Sequence, residues 1–255
     1  MISVKGFVLA SAAFAALAPL SAAQAAGGSH PLPDVEFAHE GVFGTFDRAQ
    51  LQRGFQVYRE ICSGCHGLDH IAFRNLSGLG YTADEIKALA EEYEVEDGPN
   101  EDGEMFFRPA LPSDRFPNPW LNEQEARVAN NGAYPVNLAL ITDARAGGPQ
   151  YVYSILTEYQ DDPPDGVELR PGQYYTPAKG VIAMSPPLWG DDVEYADGTE
   201  ATLEQSAKDV SAFLAWAAEP TMEARKSLGQ KVMLFLAAFT LVFFIVKKKI
   251  WADVH

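Results

Sequence analysis

Cysteine is nearly absent: Cys62 and Cys65 are the only two in 255 residues. A disulfide framework and a complete cysteine zinc site are both excluded on that count. Histidine and methionine are also scarce, with five of each. Positive charge is the next deficit. Lys and Arg total 19 against 35 Asp and Glu, and over residues 26–220 the balance is 12 against 33. So acidic a surface makes nucleic acid a poor partner. It suits long-range steering of a basic one, an attraction that salt screens. There are no internal repeats, and long apolar runs occur only at the two ends.

The two cysteines stand together in Cys62-Ser63-Gly64-Cys65-His66. Two thiols three positions apart, followed at once by histidine, form the attachment signature of a c-type haem. One tight turn brings both sulfurs to the porphyrin vinyls and aims His66 at the iron. A zinc half-site would need further soft ligands that the chain lacks. A thioredoxin-like pair would have no use for the histidine. One covalently bound haem c, held by Cys62, Cys65 and His66, is therefore expected.

The ends set the compartment. Residues 1–25 combine Lys5, an apolar run from Gly6 to Leu20 and an Ala23-Gln24-Ala25 cleavage site. They read as a cleaved signal peptide, with the mature chain starting near Ala26. At the other end Val232 to Val246 is apolar except for Thr240, and flanking residues extend it to 228–251. That approaches the roughly 20 residues needed to cross a bilayer as a helix. A buried core helix would not end in Lys247-Lys248-Lys249 and Trp251, which fit a cytoplasmic boundary. The expected organisation is a haem domain over 26–220 outside the cytoplasm, a linker over 221–227, a single-pass anchor over 228–251 and a cytoplasmic tail over 252–255.

Apolar spacing predicts helices from about Asp47 to Ile61 and from Thr82 through Tyr93, the latter stopped by Gly98-Pro99. Further helices are expected from Asn122 to about Asn131, from Pro149 to Tyr159 and from Thr202 to Glu219. Thr82/Glu85, Asn122/Glu125 and Thr202/Gln205 stand at capping-box spacing. Residues 67–80 read as irregular and 161–198 as loop, with a short hairpin around Asp197-Gly198. The class is mainly α with long loops.

An iron with one histidine has a sixth position to fill. Met1 is removed with the signal peptide, Met222 falls in the linker and Met233 in the anchor, which leaves Met105, Met184, His70 and His39. His70 is too close to His66 to reach the opposite face, His39 lies in an irregular leader, and Met105 adjoins Phe106-Phe107, where packing is its expected job. Met184 precedes Ser185-Pro186-Pro187, whose rigid backbone suits a thioether held from a loop. Met184 is the favoured ligand, with the others as alternatives.

The sequence resembles cytochrome c1, the haem subunit of the cytochrome bc1 complex (ubiquinol–cytochrome c reductase). The resemblance is carried by RGFQVY at 53–58 leading into CSGCH, GPNEDGEMFFRPA at 98–110 and ARVANNGAYP at 126–135. GGPQYVYSILTEY at 147–159, IAMSPPL at 182–188 and the stretch 197–220 complete it, followed by the anchor. It implies a class I cytochrome c fold with long loop insertions and Met184 as sixth ligand. It implies Arg145 and Tyr151 beside the haem propionates, and a dimeric complex with cytochrome b and the Rieske iron–sulfur protein in a bacterial inner membrane, with the haem domain in the periplasm. Some bacterial members carry an extra cysteine pair between the haem motif and the methionine; here the methionine loop must be held by packing and prolines alone. The function implied is one-electron transfer from the Rieske protein to a soluble cytochrome c, with no bond chemistry of the chain's own. A free-standing anchored carrier or a terminal oxidase or reductase subunit would share the haem motif and both ends. A haem peroxidase would need an open sixth position.

Overall fold

A computed structural model describes residues 30–252. The expected signal peptide over 1–25 lies outside them. The architecture is mainly helical, with long loops, two small hairpins and one long C-terminal helix.

Helix α1, Arg48–Val57, starts at Asp47, whose carboxylate accepts hydrogen bonds from the Ala49 and Gln50 amides. It crosses α6, Leu203–Ala218, in the broadest interhelical contact of the molecule. Leu51 and Phe55 from one helix meet Val210, Phe213 and Leu214 from the other, all at 2% exposure or less. Each such side chain removed from water contributes about 1.5–3 kcal/mol. The crossing is closest at Gly54, where an added Cβ would lie 2.1 Å from the Asp209 carbonyl oxygen.

A polar lock sits beside that crossing. The fully buried Asp209 carboxylate accepts from Arg53 Nε at 2.8 Å, Gln205 Nε2 at 2.8 Å and Gln50 Nε2 at 3.1 Å. Arg53 also reaches Asp197 at 2.8 Å. Burial alone would lower the Arg53 pKa; its bonds to Asp209 and Asp197 outweigh that and raise it. Arg53→Met strands a buried carboxylate with two neutral donors. It should cost about 3 kcal/mol, the lower end for breaking a buried ion pair. Thermal unfolding of the full chain in detergent checks this.

The expected first helix is shorter than its apolar pattern. After Val57 the chain widens into a π-turn, Tyr58–Cys62, in which the Ser63 amide donates to the Tyr58 carbonyl at 2.8 Å. Within the stretch read as irregular, Phe73–Leu79 forms a 3-10 helix. Phe73, Leu76 and Leu79 are fully buried at a spacing of three, the repeat of that helix rather than of an α-helix.

Helix α2, Ala83–Glu91, has the expected Thr82/Glu85 capping box but ends earlier than Tyr93. The chain turns instead into β1, Glu94–Asp97, antiparallel to β2, Phe106–Pro109. Arg108 stitches this hairpin, reaching Asp97 at 2.5 Å and Asp114 at 2.6 Å. Helix α3, Glu123–Ala129, is capped by Asn122. The Glu125 side chain caps the Leu121 amide rather than closing a box. Next come a single turn, α4, Ile141–Ala144, and α5, Gly148–Thr157.

The loop-rich tract contains a hairpin, but not where Asp197-Gly198 suggested. Strands β3, Tyr174–Thr176, and β4, Gly180–Ile182, pair antiparallel. At Tyr195–Gly198 there is a turn without strands. Its flanks are drawn inward instead: Val193 and Tyr195 are buried, and Arg53 holds Asp197.

Helix α7, Met222–Ile250, is 29 residues long and apolar enough to cross a bilayer, with none of its apolar window buried against the domain. The Thr240 hydroxyl donates back to the Leu236 carbonyl at 2.8 Å, so the one polar side chain within Val232–Val246 needs no water. The stretch expected as a linker is helical from Met222 onward and docked. Met222 is buried, and Glu223 accepts from the Phe46 amide at 2.8 Å and from Arg48 at 2.6 Å.

Candidate functional site: the CxxCH turn and the Met184 loop

The π-turn delivers the chain into the CxxCH motif. The Cys62 carbonyl accepts from both the Cys65 and His66 amides, at 3.1 and 2.9 Å, which folds the motif into one compact turn. Three other segments hold it. Tyr58, buried at the end of α1, donates its hydroxyl to the His66 carbonyl at 3.1 Å. Trp120 donates its indole N–H to the Cys65 carbonyl at 2.9 Å. Segment 136–138 runs alongside, with the Leu138 amide on the Gly67 carbonyl at 2.9 Å and Asn137 on Asp69 at 2.8 Å.

The same segment orients the imidazole. His66 Nδ1 lies 2.7 Å from the Val136 carbonyl oxygen. A carbonyl only accepts, so Nδ1 carries the proton and the Nε2 lone pair is left free for a metal. Burial lowers the His66 pKa, and the bond to Val136 only partly opposes it, so the neutral ring that a metal requires is favoured. Cys62 packs against the core, and burial pushes its free thiol up to about 12. Cys65 is exposed.

Met184 lies two residues beyond β4 and packs against the same core cluster as Cys62. Its backbone is fixed from outside. Tyr159 donates its hydroxyl to the Met184 carbonyl at 3.0 Å, and Leu188 buries the far end of the loop. Tyr159 is itself held by the Gln160 amide on the Tyr175 carbonyl at 3.0 Å, which ties the end of α5 to β3. The loop that lacks a disulfide is thus pinned by a hydroxyl, a hairpin and a buried leucine.

The alternative ligands fall elsewhere. Met105 is 55% exposed at the start of β2. His70 is exposed beside Asp69, at 3.4 Å. His39 is buried in the leader, stacked on Phe46 at 4.7 Å. Arg145 is exposed where α4 ends, and Tyr151 is half-buried in the first turn of α5, on either side of the Gly147 turn. Among the described residues no hydrogen bond joins either side chain to the CxxCH turn or the Met184 loop. Sequence reasoning missed Val136, which acts through its carbonyl and leaves no side-chain signal, and the anchoring roles of Trp120 and Tyr159.

The donors suit a haem: an imidazole with Nε2 free, a thioether on a braced loop, and two thiols at attachment spacing. The fold and this site define a membrane-anchored haem protein of the cytochrome type. The chain belongs to the cytochrome c1 family, whose model matches residues 37–254. It is 46% identical over 251 residues to the cytochrome c1 of Rhodospirillum rubrum, covering 91% of this chain and 92% of that one. It is 49% identical over 224 residues to the mitochondrial cytochrome c1 haem protein of Saccharomyces cerevisiae, covering 87% and 72%. A protein named cytochrome b/c1 from Bradyrhizobium diazoefficiens is 44% identical over 262 residues, covering 94% of this chain and 38% of its own.

Proposed function

We propose that this chain is the electron-transfer subunit of a bacterial cytochrome bc1 complex, with one haem attached through Cys62 and Cys65 and ligated by His66 and Met184. The observation that carries the reading is the His66–Val136 bond, which leaves Nε2 as a metal donor at the end of a CxxCH turn. Haem bound there would supply reversible one-electron chemistry at iron. The chain supplies the rest. Val136 fixes the imidazole tautomer, Tyr159 and the Pro186-Pro187 backbone hold the Met184 thioether, and the core around Phe55, Tyr58 and Phe213 excludes water. Arg145 and Tyr151 are assigned to the propionates. With His66 and Met184 both holding the iron, no position on it would be left for a substrate.

Partnership with cytochrome b is supported by the Bradyrhizobium relative, whose name joins b and c1. A Rieske protein as donor, a soluble cytochrome c as acceptor and a dimeric assembly follow from the family resemblance. The lysines at 247–249 support a cytoplasmic C-terminus and a periplasmic haem domain. Tagged protein purified in mild detergent should show b-type haem bands beside the c-type band, with an iron–sulfur resonance. Material carrying c-type haem alone would refute membership of the complex and leave an anchored carrier.

The acidic surface adds a kinetic expectation. Reduction of a basic soluble cytochrome c should slow about tenfold or more as salt rises from about 0.01 to 0.2 M, as steering is screened. Stopped-flow rates independent of ionic strength would rule out electrostatic docking.

A further inference from the structure

We infer that the loop Glu40–Gly44 is a second membrane contact, whose Val42–Phe43 tip enters the lipid interface beside the start of α7. The inference rests on α7 spanning the membrane. Val42 is 67% exposed and Phe43 81%, in a domain whose other large apolar side chains near this loop, Phe37 and Phe46, are buried.

The loop is clamped rather than loose. Lys226 Nζ donates to the carbonyls at both of its ends, His39 at 2.5 Å and Gly44 at 3.2 Å. An added Cβ at Gly44 would lie 1.9 Å from the Glu40 carbonyl oxygen, so the two ends close on each other and the tip is pushed outward. At its base the His39 ring is buried between Phe37 and Phe46.

Depth follows from the helix. Gln230 Nε2 donates to the Val42 carbonyl at 3.1 Å. The apolar run Val232–Val246 is bounded by Lys231 on the domain side and Lys247 on the other, and both long side chains reach out to the headgroups. Gln230 therefore stands at the outer boundary of the bilayer, and the tip beside it stands at the same height.

Charge agrees. Residues 41–46, GVFGTF, carry none, although the surrounding domain is strongly acidic. The nearest carboxylate, Glu40, is turned back to Gln150 and the Phe37 amide. Lys231, exposed on α7, is placed to meet lipid phosphates. An uncharged apolar tip at headgroup depth fits a lipid surface.

The test is site-directed spin labelling of the haem-loaded full chain in phosphatidylcholine–phosphatidylglycerol vesicles, with the unsubstituted chain as blank. Phe43→Cys is compared with Leu236→Cys in the span and Glu101→Cys in water. The expected result is a nitroxide at 43 relaxed several-fold more by oxygen than by a water-soluble nickel chelate, as at 236. Relaxation at 43 dominated by the nickel chelate, with 236 still lipid-like, overturns the inference and leaves the span intact. Exclusion of both agents at 43 also overturns it, because the tip would then pack on protein. A water-like signal at 236 refutes the membrane span itself.

Discussion

Met184→Leu is expected to lower the haem midpoint potential by on the order of 0.2 V or more, within the ~0.8 V range that axial ligands command. At about 59 mV per tenfold for a one-electron couple, that shifts electron exchange with any fixed partner by more than about a thousandfold. The substitution separates ligation from folding. Leucine nearly conserves volume, a change that costs under about 1.5 kcal/mol in a core. The loop is braced by bonds that do not involve the side chain, Tyr159 to the Met184 and Ser185 carbonyls at 3.0 and 3.4 Å. A redox titration followed in the visible spectrum reads the result. An unchanged potential removes Met184 from the iron. No local substitute is at hand, since Met105 and His70 are exposed on other segments and His39 is buried in the leader.

The second large effect is mechanical. Gly54→Ala should destabilise the protein although alanine is the better helix former by about 1 kcal/mol. The new methyl carbon would sit 2.1 Å from the Asp209 carbonyl oxygen and 2.7 Å from Phe213 Cβ. One of these is backbone inside α6, so relief requires the two helices to separate along the contact that builds the core. The loss expected is about 3 kcal/mol or more, beyond the usual range for one extra methylene in a core. For a domain of this size that lowers Tm by about 6–12 °C. Thermal unfolding of the full chain in detergent measures it, and an unchanged or raised Tm would show that α1 and α6 do not cross at Gly54.

Much of the frame was legible because it is written locally. Thr82, Asn122 and Thr202 all cap helices where their spacing said they would, since a cap needs only residues within one turn, although the Gln205 side chain turns to Asp209 instead of closing a box. The apolar part of the last helix was equally plain, although the helix begins at Met222, within the stretch expected as linker. What escaped notice is either aperiodic or distant. Phe73, Leu76 and Leu79 repeat every three residues, which breaks the α pattern without declaring another. Strands of three and four residues, such as Tyr174–Thr176 and Glu94–Asp97, are too short for alternation to stand out. Asp197-Gly198 is good hairpin chemistry, yet Arg53, 144 residues earlier, claims the aspartate. At the site, the motif named its own residues, whereas the carbonyl of Val136 and the hydroxyl of Tyr159 became visible only through contacts across the fold.

The π-turn at Tyr58–Cys62 has a consequence for how this region can vary in length. An α-helix turns about 100° per residue, so one surplus residue rotates everything after it by that angle relative to the helix before it. The residues after the turn, Cys62 first among them, therefore take a bearing about 100° from the one an unbroken α-helix of the same sequence would give them, and in it Cys62 packs against the core. Deleting a single residue between Gly54 and Cys62 would let an unbroken α-helix reach the motif with both cysteines near their present bearing, whereas straightening the turn without a deletion would swing them about 100° away. The stretch between the helix crossing and the first cysteine can thus lose one residue where the spacing between the cysteines themselves cannot.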